Sequence, residues 1–245
     1  MSLAQESLSA STLNPPPRHV AIIMDGNRRW AKQKQIPSAL GHWKGAETLT
    51  EIVEAASEMG IKILTVYAFS TENWLRNKDE VDYLMELFET YLLQQKDSMI
   101  AQGVKLDAIG DLNRLPPKLL KVFLDVKEAT RLGNKIELVL ALSYGGRNEI
   151  LRGIKAMMQD FEDGRVQLQS LDEELFSKYL DTAKWPDPDL LIRTSGENRL
   201  SNFLLWQLCY TEVVITNVLW PDFSKTNLEH AVNEYRTRQR RKGCL

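Results

Sequence analysis

An acidic residue, a glycine and an amide directly follow a short apolar segment near the beginning of the chain. Residues 20–24 are too few for a helix, rich in β-branched side chains and bounded by turn formers, which is typical of a parallel strand buried on both faces. Asp25, Gly26 and Asn27 come next, and a helix can begin near Arg29. In such strand–loop–helix units the loop amides and the helix N-terminus favour an anion. The segment therefore predicts an anion site, most simply for phosphate.

The carboxylate of Asp25 would repel a phosphate that had no counter-ion. A divalent cation between the two groups removes that conflict, because carboxylate and phosphate oxygens are its preferred ligands. The alternative is an Asx turn in which Asp25 only caps the following helix. Residues 20–30 do not decide between these two interpretations.

Polar clusters also follow the predicted strands at residues 61–69, 136–142 and 189–194. Carboxyl ends of parallel strands meet at one edge of a sheet, so these clusters are expected to share a rim with Asp25. One surface arginine is an ordinary solvated charge, and the Gly-Gly pair at 145–146 can be a simple turn. Several arginines on one rim, among hydroxyls and amides, instead indicate phosphate binding; they are Arg28, Arg29, Arg76, Arg193 and Arg199.

Composition and missing motifs exclude several classes of function. The 245 residues suit a single α/β domain, and a net charge of −2 gives no overall attraction to nucleic acid. The sequence contains no P-loop, no dinucleotide fingerprint and no nucleophile elbow. Cys209 and Cys244 have no metal or redox spacing, which fits a reducing cytoplasm. Residues 1–17 do not resemble a signal peptide and are predicted to form a mobile arm, and no apolar run is long enough to span a membrane.

Strand and helix patterns alternate along the rest of the chain, which predicts a mainly parallel six-stranded sheet flanked by helices. The fifth and sixth strands are predicted at 189–194 and 213–216, an apolar helix at 202–209 and a last helix at 228–243. Asp79 is predicted to cap a long helix ending near residue 102. The apolar face of that helix is wider than one neighbour requires. It is either ordinary core or the lining of an apolar cavity.

Several long motifs together resemble the cis-prenyltransferases. They are HVAIIMDGN with RWAK at 19–32, YAFSTENW at 67–74, YGGR at 144–147, DLLIRTSGE at 189–197, SNFLLWQ at 201–207 and WPDF at 220–223. The resemblance covers the chain from about residue 18 to residue 242 and implies one catalytic domain over 18–245.

That resemblance implies a Mg²⁺-dependent homodimer that condenses isopentenyl diphosphate with an allylic diphosphate such as farnesyl diphosphate. It implies that the diphosphates bind at the carboxyl edge of the sheet and that the product grows into an apolar tunnel between sheet and helices. The enzyme would be cytoplasmic, with peripheral membrane contact for product release. Two diphosphates would account for the arginine-rich rim, and a polyprenyl tail for the wide apolar helix face.

The motifs also imply roles for individual residues. Asp25 would hold Mg²⁺, Glu212 matches a metal-binding acid, and Asn73 matches a proposed proton acceptor; since an amide is a poor base, Asn73 is expected to orient a proton path. The other expected substrate-binding residues are Gly26, Asn27, Arg28, Arg29, Trp30, His42, Ser70, Thr71, Glu72, Trp74, Arg76, Arg193, Arg199, Leu200 and Ser201. His42 is expected in a loop after the first helix.

Three positions depart from the family pattern. Arg28 stands where glycine is usual, Ser38 where arginine is common, and Asn198 where histidine is usual. Arg28 would either add a phosphate contact that replaces the charge missing at Ser38 or crowd the phosphate loop. A catalytically silent partner subunit is the first alternative, but such a chain is expected to lose Asp25 and the arginines. A nucleic-acid tail at residues 236–242 is the second, and cations at a helix C-terminus have a simpler explanation in the helix dipole.

Overall fold

The computed structural model describes residues 14–238 and contains one six-stranded sheet in which every neighbouring pair is parallel. The strand order is β3-β4-β2-β1-β5-β6. The strands are β1 His19–Ile23, β2 Ile63–Ser70, β3 Val104–Ile109, β4 Ile136–Tyr144, β5 Leu190–Arg193 and β6 Glu212–Ile215. This confirms the predicted parallel α/β architecture.

Helices connect the strands and cover the sheet. They are α1 Asn27–Gln33, α2 Ser38–Glu58, α3 Lys78–Gln102, α4 Pro117–Ala129, α5 Gly146–Glu162, α6 Glu173–Ser177 and α7 Lys225–Thr237. A short 3₁₀ helix, Thr71–Leu75, follows β2 directly. Within residues 14–238, no helix combines the length and the apolar character needed to cross a membrane.

The two faces of the sheet bury separate apolar cores. In β1, Val20 and Ile22 pack with residues of α2, α3, α4 and α7, whereas Ala21 and Ile23 pack on the opposite face with residues 203–208. All of these β1 side chains are buried. The period of two in a strand requires this division, because successive side chains point to opposite faces. β1 is therefore held rigidly at the centre of the sheet, between β2 and β5.

Residues 202–209, predicted as a helix, do not form one. Ser201, Asn202 and Leu204 have positive φ angles of 49°, 66° and 45°, which interrupt a right-handed helix. Phe203 and Leu204 are fully buried against the sheet. The apolar spacing that indicated a helix instead reflects a compact series of turns whose side chains fill the core.

The remaining helix predictions need smaller corrections. The side chain of Asn77, rather than Asp79, caps α3 by accepting a hydrogen bond from the N–H of Asp79 at 2.9 Å. The last helix begins at Lys225, three residues before the predicted start. Residues 1–13 of the predicted N-terminal arm, and the basic residues after position 238, lie outside the described part of the chain.

Candidate active site

A cavity of about 560 Å³ lies at the carboxyl edge of the sheet, where the sequence predicted a ligand site. It brings together side chains that follow β1, β2 and β5 with residues of α1, α2 and α3. Ten of the predicted site residues line it: Asp25, Asn27, His42, Ser70, Glu72, Asn73, Arg76, Arg193, Arg199 and Ser201. The strand-end argument therefore located the cavity correctly.

Asp25 and Arg193 form an ion pair between the ends of the neighbouring strands β1 and β5. The Arg193 Nη2 atom lies 3.0 Å from Asp25 Oδ2, and Ile23 in β1 is the register partner of Arg193 in β5. The side chain of Arg193 is only 4% exposed, whereas that of Asp25 is 34% exposed and lines the cavity. The carboxylate thus remains accessible to a ligand while its partner is buried.

The buried guanidinium of Arg193 also organises the loop after β5. Nη1 donates to Ser201 Oγ at 3.1 Å and to the carbonyl oxygen of Arg199. Its Nε atom is buried and has no partner among the described residues. A fixed fork of donors is suited to a carboxylate or a diphosphate. Arg193 therefore links Asp25 to Ser201 and keeps one donor unused.

Backbone contacts set the position of Asp25. The Thr194 hydroxyl accepts from the Asp25 N–H at 2.8 Å and lies 2.7 Å from the Asp25 carbonyl oxygen, which also accepts from the N–H of Trp220 at 2.9 Å. Gly26 follows with a φ of 115° and packs so closely on Leu219 that a Cβ atom would lie 3.0 Å from the Leu219 Cβ atom. Only glycine adopts this backbone without strain. Several independent contacts therefore fix the conformation of the turn that presents Asp25.

Asn27 and His42 bring two unpartnered polar atoms to the cavity. Asn27 Nδ2 lies 3.4 Å from His42 Nδ1, while Asn27 Oδ1 and His42 Nε2 are buried with no partner within residues 14–238. Burial lowers the pKa of His42 to about 4, and the charge of Arg76 acts in the same direction. The ring is therefore neutral near pH 7. With Nδ1 accepting from Asn27, Nε2 carries the proton and can donate to a ligand.

His42 was predicted to lie in a loop, but it does not. It belongs to the first turns of α2, which begins at Ser38. The residues of this helix near the cavity include glycines, and a Cβ atom at Gly45 would lie 2.6 Å from Asn27 Oδ1. Close packing of α2 on α1 therefore fixes the spacing of Asn27 and His42.

On the α3 side of the cavity, the Glu80 carboxylate lies close to two arginines and one histidine. It accepts from Arg76 Nη1 at 3.0 Å and lies 3.9 Å from Arg28 Nη1. The His42 Nε2 atom is 4.0 Å away. The Arg28 side chain is 63% exposed, so it is held near the rim rather than packed into the loop. Arg28 thus does not crowd the backbone between Asp25 and Asn27.

On the opposite side of the rim, Glu197 likewise pairs with two arginines. It accepts from Arg29 Nη2 at 2.7 Å and from Arg199 Nη1. The Arg29 hydrogen bond, followed by that from Arg199, lowers the pKa of Glu197. Arg29 also donates to the carbonyl oxygen of Ser195 at 3.0 Å. Exposed ion pairs of this kind contribute little stability, so the two arginines can exchange partners when an anion binds.

The 3₁₀ helix after β2 is closed by a capping box. The Asn73 side chain accepts from the N–H of Ser70 at 3.1 Å, and the Ser70 side chain accepts from the Asn73 backbone. Glu72 accepts from Asn202 Nδ2 at 2.8 Å. Burial opposes ionisation of Glu72, but the hydrogen bond from Asn202 and others nearby lower its pKa overall. This segment is consequently tied to the loop that carries Ser201.

Several residues predicted for the substrate site do not line the cavity: Trp30, Thr71, Trp74, Leu200, and the rim residues Gly26, Arg28 and Arg29. Trp30 Nε1 donates to Asp222 at 2.7 Å, and Trp74 Nε1 donates to Ser143 Oγ at 3.0 Å. These two rings brace the loops behind the site. Gly26 lies between the lining residues Asp25 and Asn27, whereas Arg28 and Arg29 line a separate cavity together with Ser38.

Glu212 is not brought to Asp25 within one chain. It begins β6 at the amino edge of the sheet, where it pairs with Leu190, and Asp25 lies beyond the opposite edge. Its carboxylate accepts from Arg238 Nη1 at 2.8 Å. Within residues 14–238, no group of three His, Cys, Asp or Glu residues could hold a metal ion. Of the two acids expected to bind metal, Asp25 lines the cavity and Glu212 does not.

Two polar residues of the cavity were not identified from the sequence. The Tyr67 hydroxyl donates to the carbonyl oxygens of Tyr144 and Ser201, at 3.1 and 3.3 Å, and its ring stacks on Phe203. Burial raises the pKa of Tyr67, so its hydroxyl is neutral. Asn202 bonds Glu72 and also accepts from the N–H of Arg147 at 2.9 Å. Both residues lie inside the quoted motifs, but only the left-handed backbone of Asn202 turns it into the cavity.

An apolar cavity of about 70 Å³ adjoins the polar one. The two share Met24, Asn27, His42, Ala68 and Leu84. Its other lining residues come from α2, α3, β4 and the 219–222 segment: Gly45, Ala46, Leu49, Leu87, Phe88, Tyr91, Leu140 and Trp220. The wide apolar face of α3 therefore serves both the core and a cavity that opens into the site.

Comparisons with known proteins find relatives that match most of the chain. Residues 23–243 match the family model described as "Putative undecaprenyl diphosphate synthase". An isoprenyl transferase of Clostridium perfringens is 47% identical over 94% of this chain and 90% of its own length. A ditrans,polycis-undecaprenyl-diphosphate synthase of Micrococcus luteus, named as (2E,6E)-farnesyl-diphosphate specific, is also 47% identical, over 94% of this chain and 92% of its own.

A solved structure extends the likeness to the whole fold. It is the crystal structure of lavandulyl diphosphate synthase from Lavandula x intermedia in complex with dimethylallyl diphosphate, with 39% identity and a TM-score of 0.90 over 92% of this chain and 97% of that one. From its fold, its strand-end site and these likenesses, the chain belongs to the undecaprenyl diphosphate synthase family of prenyltransferases.

Proposed function

We propose that this prenyltransferase condenses isopentenyl diphosphate units with an allylic diphosphate, farnesyl diphosphate, to give a long-chain cis-polyprenyl diphosphate, undecaprenyl diphosphate. The observation that carries the proposal is the accessible Asp25 carboxylate, paired with buried Arg193, in a cationic cavity that continues into an apolar one. Such a site accommodates anionic headgroups and an apolar tail at the same time. Undecaprenyl diphosphate would serve as the carrier-lipid precursor for cell-wall glycan synthesis.

The polar groups form two sets that suit two diphosphates. Arg193, Arg199 and Ser201 follow β5 and are assigned to isopentenyl diphosphate. The other set lies on the β1 and α3 side and is assigned to the allylic diphosphate: Gly26, Asn27, Arg28, Arg29, His42 and Arg76. In this set, neutral His42 offers its Nε2–H group and the N-terminus of α1 offers backbone N–H groups.

The donor set around Asp25 fits Mg²⁺. Mg²⁺ is commonly held by one or two carboxylates together with waters and substrate phosphate oxygens, rather than by a complete protein cage. A single accessible carboxylate beside a diphosphate site meets that requirement. Asp25 would hold the ion, which when bound neutralises charge on the departing diphosphate. Glu212 would have no part in this site unless a second subunit supplied it.

In the reaction, the C–O bond of the allylic diphosphate breaks and a new C–C bond forms to isopentenyl diphosphate, which then loses a proton. The arginines stabilise negative charge as it develops on the leaving diphosphate. Asn73 Oδ1 already accepts the N–H of Ser70 in the capping box, and its Nδ2 group is a donor that can face substrate. Asn73 therefore orients a diphosphate oxygen that accepts the proton, and does not itself act as the base.

We extend the proposal to the assembly and its location. Edge strand β6 exposes Val213 and Ile215 to the extent of 40% and 44%, which suits burial in a homodimer. The enzyme would be cytoplasmic, contact the membrane only peripherally when product leaves, and bind no nucleic acid. Sedimentation equilibrium should give twice the chain mass of 28.1 kDa, and a monomer would contradict the homodimer.

The test is incubation of the purified chain with farnesyl diphosphate, labelled isopentenyl diphosphate and Mg²⁺, followed by product chain-length analysis. We expect label in long polyprenyl products and none when a chelator removes Mg²⁺. Dimethylallyl diphosphate in a parallel incubation tests the choice of primer. If the chain alone incorporates no label, it is not an elongating enzyme, and a silent partner subunit becomes the better explanation.

A further inference from the structure

Asn202 joins three of the loops that surround the polar cavity. It follows Ser201 in the loop after β5, and its Nδ2 atom donates to Glu72 Oε1, in the 3₁₀ helix after β2, at 2.8 Å. Its Oδ1 atom accepts from the N–H of Arg147 at 2.9 Å, and its carbonyl oxygen accepts from the N–H of Gly146 at 2.7 Å. These two N–H groups belong to the start of α5, after β4. Asn202 therefore holds the loop after β5 against the segments that follow β2 and β4.

This set of contacts reaches across the central strand of the sheet. β2 and β5 each pair with β1, which lies between them, and do not pair with each other. The segments that follow them are also packed closely: a Cβ atom at Gly145 would lie 2.5 Å from Thr71 Oγ1 and 2.7 Å from Asn202 Nδ2. The two halves of the site thus meet at Asn202, and Glu72 and Asn202 both line the cavity.

The orientation of the Asn202 amide follows from its partners. A carboxylate only accepts hydrogen bonds and a backbone N–H only donates them, so Nδ2 must point to Glu72 and Oδ1 to α5. The first N–H groups of a helix need acceptors from outside the helix, and Asn202 supplies two of them. Its φ angle of 66° is left-handed, a conformation that asparagine and aspartate adopt more readily than most residues. The fold therefore presents the Nδ2 donor to Glu72 in a fixed direction.

We propose that Asn202 is a positioning residue, which holds Glu72 and thereby sets the distance between the two substrate-binding halves of the cavity. The inference rests on the proposed condensation. Asn73, assigned to the proton path, follows Glu72 in the same 3₁₀ helix. Ser201, assigned to isopentenyl diphosphate, directly precedes Asn202. One hydrogen bond thus connects the proton path to the substrate that loses the proton, and a displacement of about 1 Å can cost roughly a hundredfold in rate.

This hydrogen bond can be broken and rebuilt by substitution. Asn202→Asp keeps the acceptor for α5 and tolerates the positive φ angle, but it places a second carboxylate against Glu72. Glu72→Gln retains an acceptor for Asn202. In the double variant the glutamine amide can donate to the aspartate, so the hydrogen bond forms again in the reverse direction. Asn202→Gly removes the side chain and also suits the positive φ angle.

Two measurements at about pH 8, well above the usual carboxyl pKa, test the proposal. The first is hydrogen–deuterium exchange of the backbone amides of Thr71–Leu75 without substrate. The second is the single-turnover rate of the first condensation, with labelled isopentenyl diphosphate and farnesyl diphosphate both at saturating concentration. The affinity for farnesyl diphosphate is measured in parallel. Asn134→Asp is the control, because Asn134 is exposed and lies just before β4, at the opposite edge of the sheet.

We expect Asn202→Asp and Asn202→Gly to accelerate exchange and to lower the single-turnover rate by roughly ten- to a hundredfold, while the Kd for farnesyl diphosphate stays at the wild-type value. On the Glu72→Gln background, Asn202→Asp should change neither measurement. A general loss of structure would instead lower the rate equally on both backgrounds. Asn134→Asp should match the wild type throughout.

An equal loss of rate from Asn202→Asp on the two backgrounds would overturn the inference and leave the proposed function intact. A wild-type rate in Asn202→Gly, with circular dichroism showing a folded protein, would do the same. The comparison of backgrounds decides the question even if Asn202→Gly fails to fold. No incorporation by the wild-type protein would refute the proposed function, and with it the role of Asn202 in the reaction.

Discussion

Arg193 shows how a single buried cation can organise a site. Its guanidinium contacts the Asp25 carboxylate, the Ser201 hydroxyl and the Arg199 carbonyl oxygen, and it is almost completely buried. A buried charge is tolerated only when its partners have good geometry. The same contacts join the loop after β1 to the loop after β5, so one residue stabilises both the fold and the proposed site.

Replacing Arg193 with lysine should therefore impair catalysis more than folding. A single ammonium group keeps the charge but cannot reach all three partners, so we expect kcat/KM for isopentenyl diphosphate to fall by roughly a hundredfold. Steady-state kinetics measure the effect. Arg131→Lys is the control, since Arg131 is exposed and, among residues 14–238, forms its ion pair with Glu128. An equal loss in both variants would refute the role given to Arg193.

The sequence allowed the main residues of the site to be predicted, because strand ends and motif matches depend only on order along the chain. Asp25, Arg193 and Ser201 are examples, and the structure brings them together. Tyr67 and Asn202 could not be found in this way. Tyr67 faces the cavity at an irregular end of β2, where the register with β4 shifts, and the orientation of Asn202 depends on a positive φ angle.

At the scale of elements, β1 is anchored at its first residue by a buried histidine. His19 Nδ1 lies 2.7 Å from the carbonyl oxygen of Pro186, and Nε2 lies 2.8 Å from Thr65 Oγ1. Burial lowers the pKa of His19 to about 4, although the hydrogen bond to Pro186 and the charge of Asp189 oppose the shift. The neutral ring thus joins β1, β2 and the loop before β5.

This histidine should make folding stability depend on pH. The unfolded chain has a histidine pKa near 6.5, so it binds more protons than the native state as pH falls from about 6.5 to 4. The free energy of unfolding should therefore be highest above pH 6.5 and decrease through this window, by up to roughly 3 kcal/mol from His19.

Urea denaturation of the wild type and of His19→Gln between pH 7 and pH 4 measures this contribution. Glutamine can donate to Pro186 and accept from Thr65 without titrating, so the variant should show a flatter pH dependence. Carboxylates contribute equally to the pH dependence of both proteins. The contribution of His19 is therefore the difference between the two free energies of unfolding at each pH. Identical slopes would show that His19 is not responsible.

The segment 202–209 marks a limit of prediction at the same scale. Its apolar spacing indicated a helix, yet its backbone includes left-handed residues that place Phe203 and Leu204 under the sheet. The spacing of apolar residues indicates which side chains are buried. The backbone conformation of this segment depends instead on tertiary packing. By contrast, β1 and α3 were predicted within a few residues because burial and local propensity agree there.

At the scale of the molecule, the site lies at β1, where the order in which strands are added to the sheet changes direction. The chain proceeds from β1 to β2 on one side, and β5 adds to the other side of β1. The loops after β1 and β5 consequently diverge around a crevice, the place where parallel α/β sheets bind ligands. One half of the sheet supplies Arg193 and Ser201, and the other supplies Asn73 and Arg76. A two-substrate reaction is thus matched by a two-sided crevice.

Asp25 lies at the centre of this crevice, and replacing it with asparagine tests the account most directly. The amide can still accept a hydrogen bond from Arg193, so the fold should be retained, but the charge that would hold Mg²⁺ is lost. Single-turnover incorporation of labelled isopentenyl diphosphate into farnesyl diphosphate should fall by roughly 10²–10³-fold, with unchanged circular dichroism. Incorporation by Asp25→Asn at the wild-type rate would contradict the account.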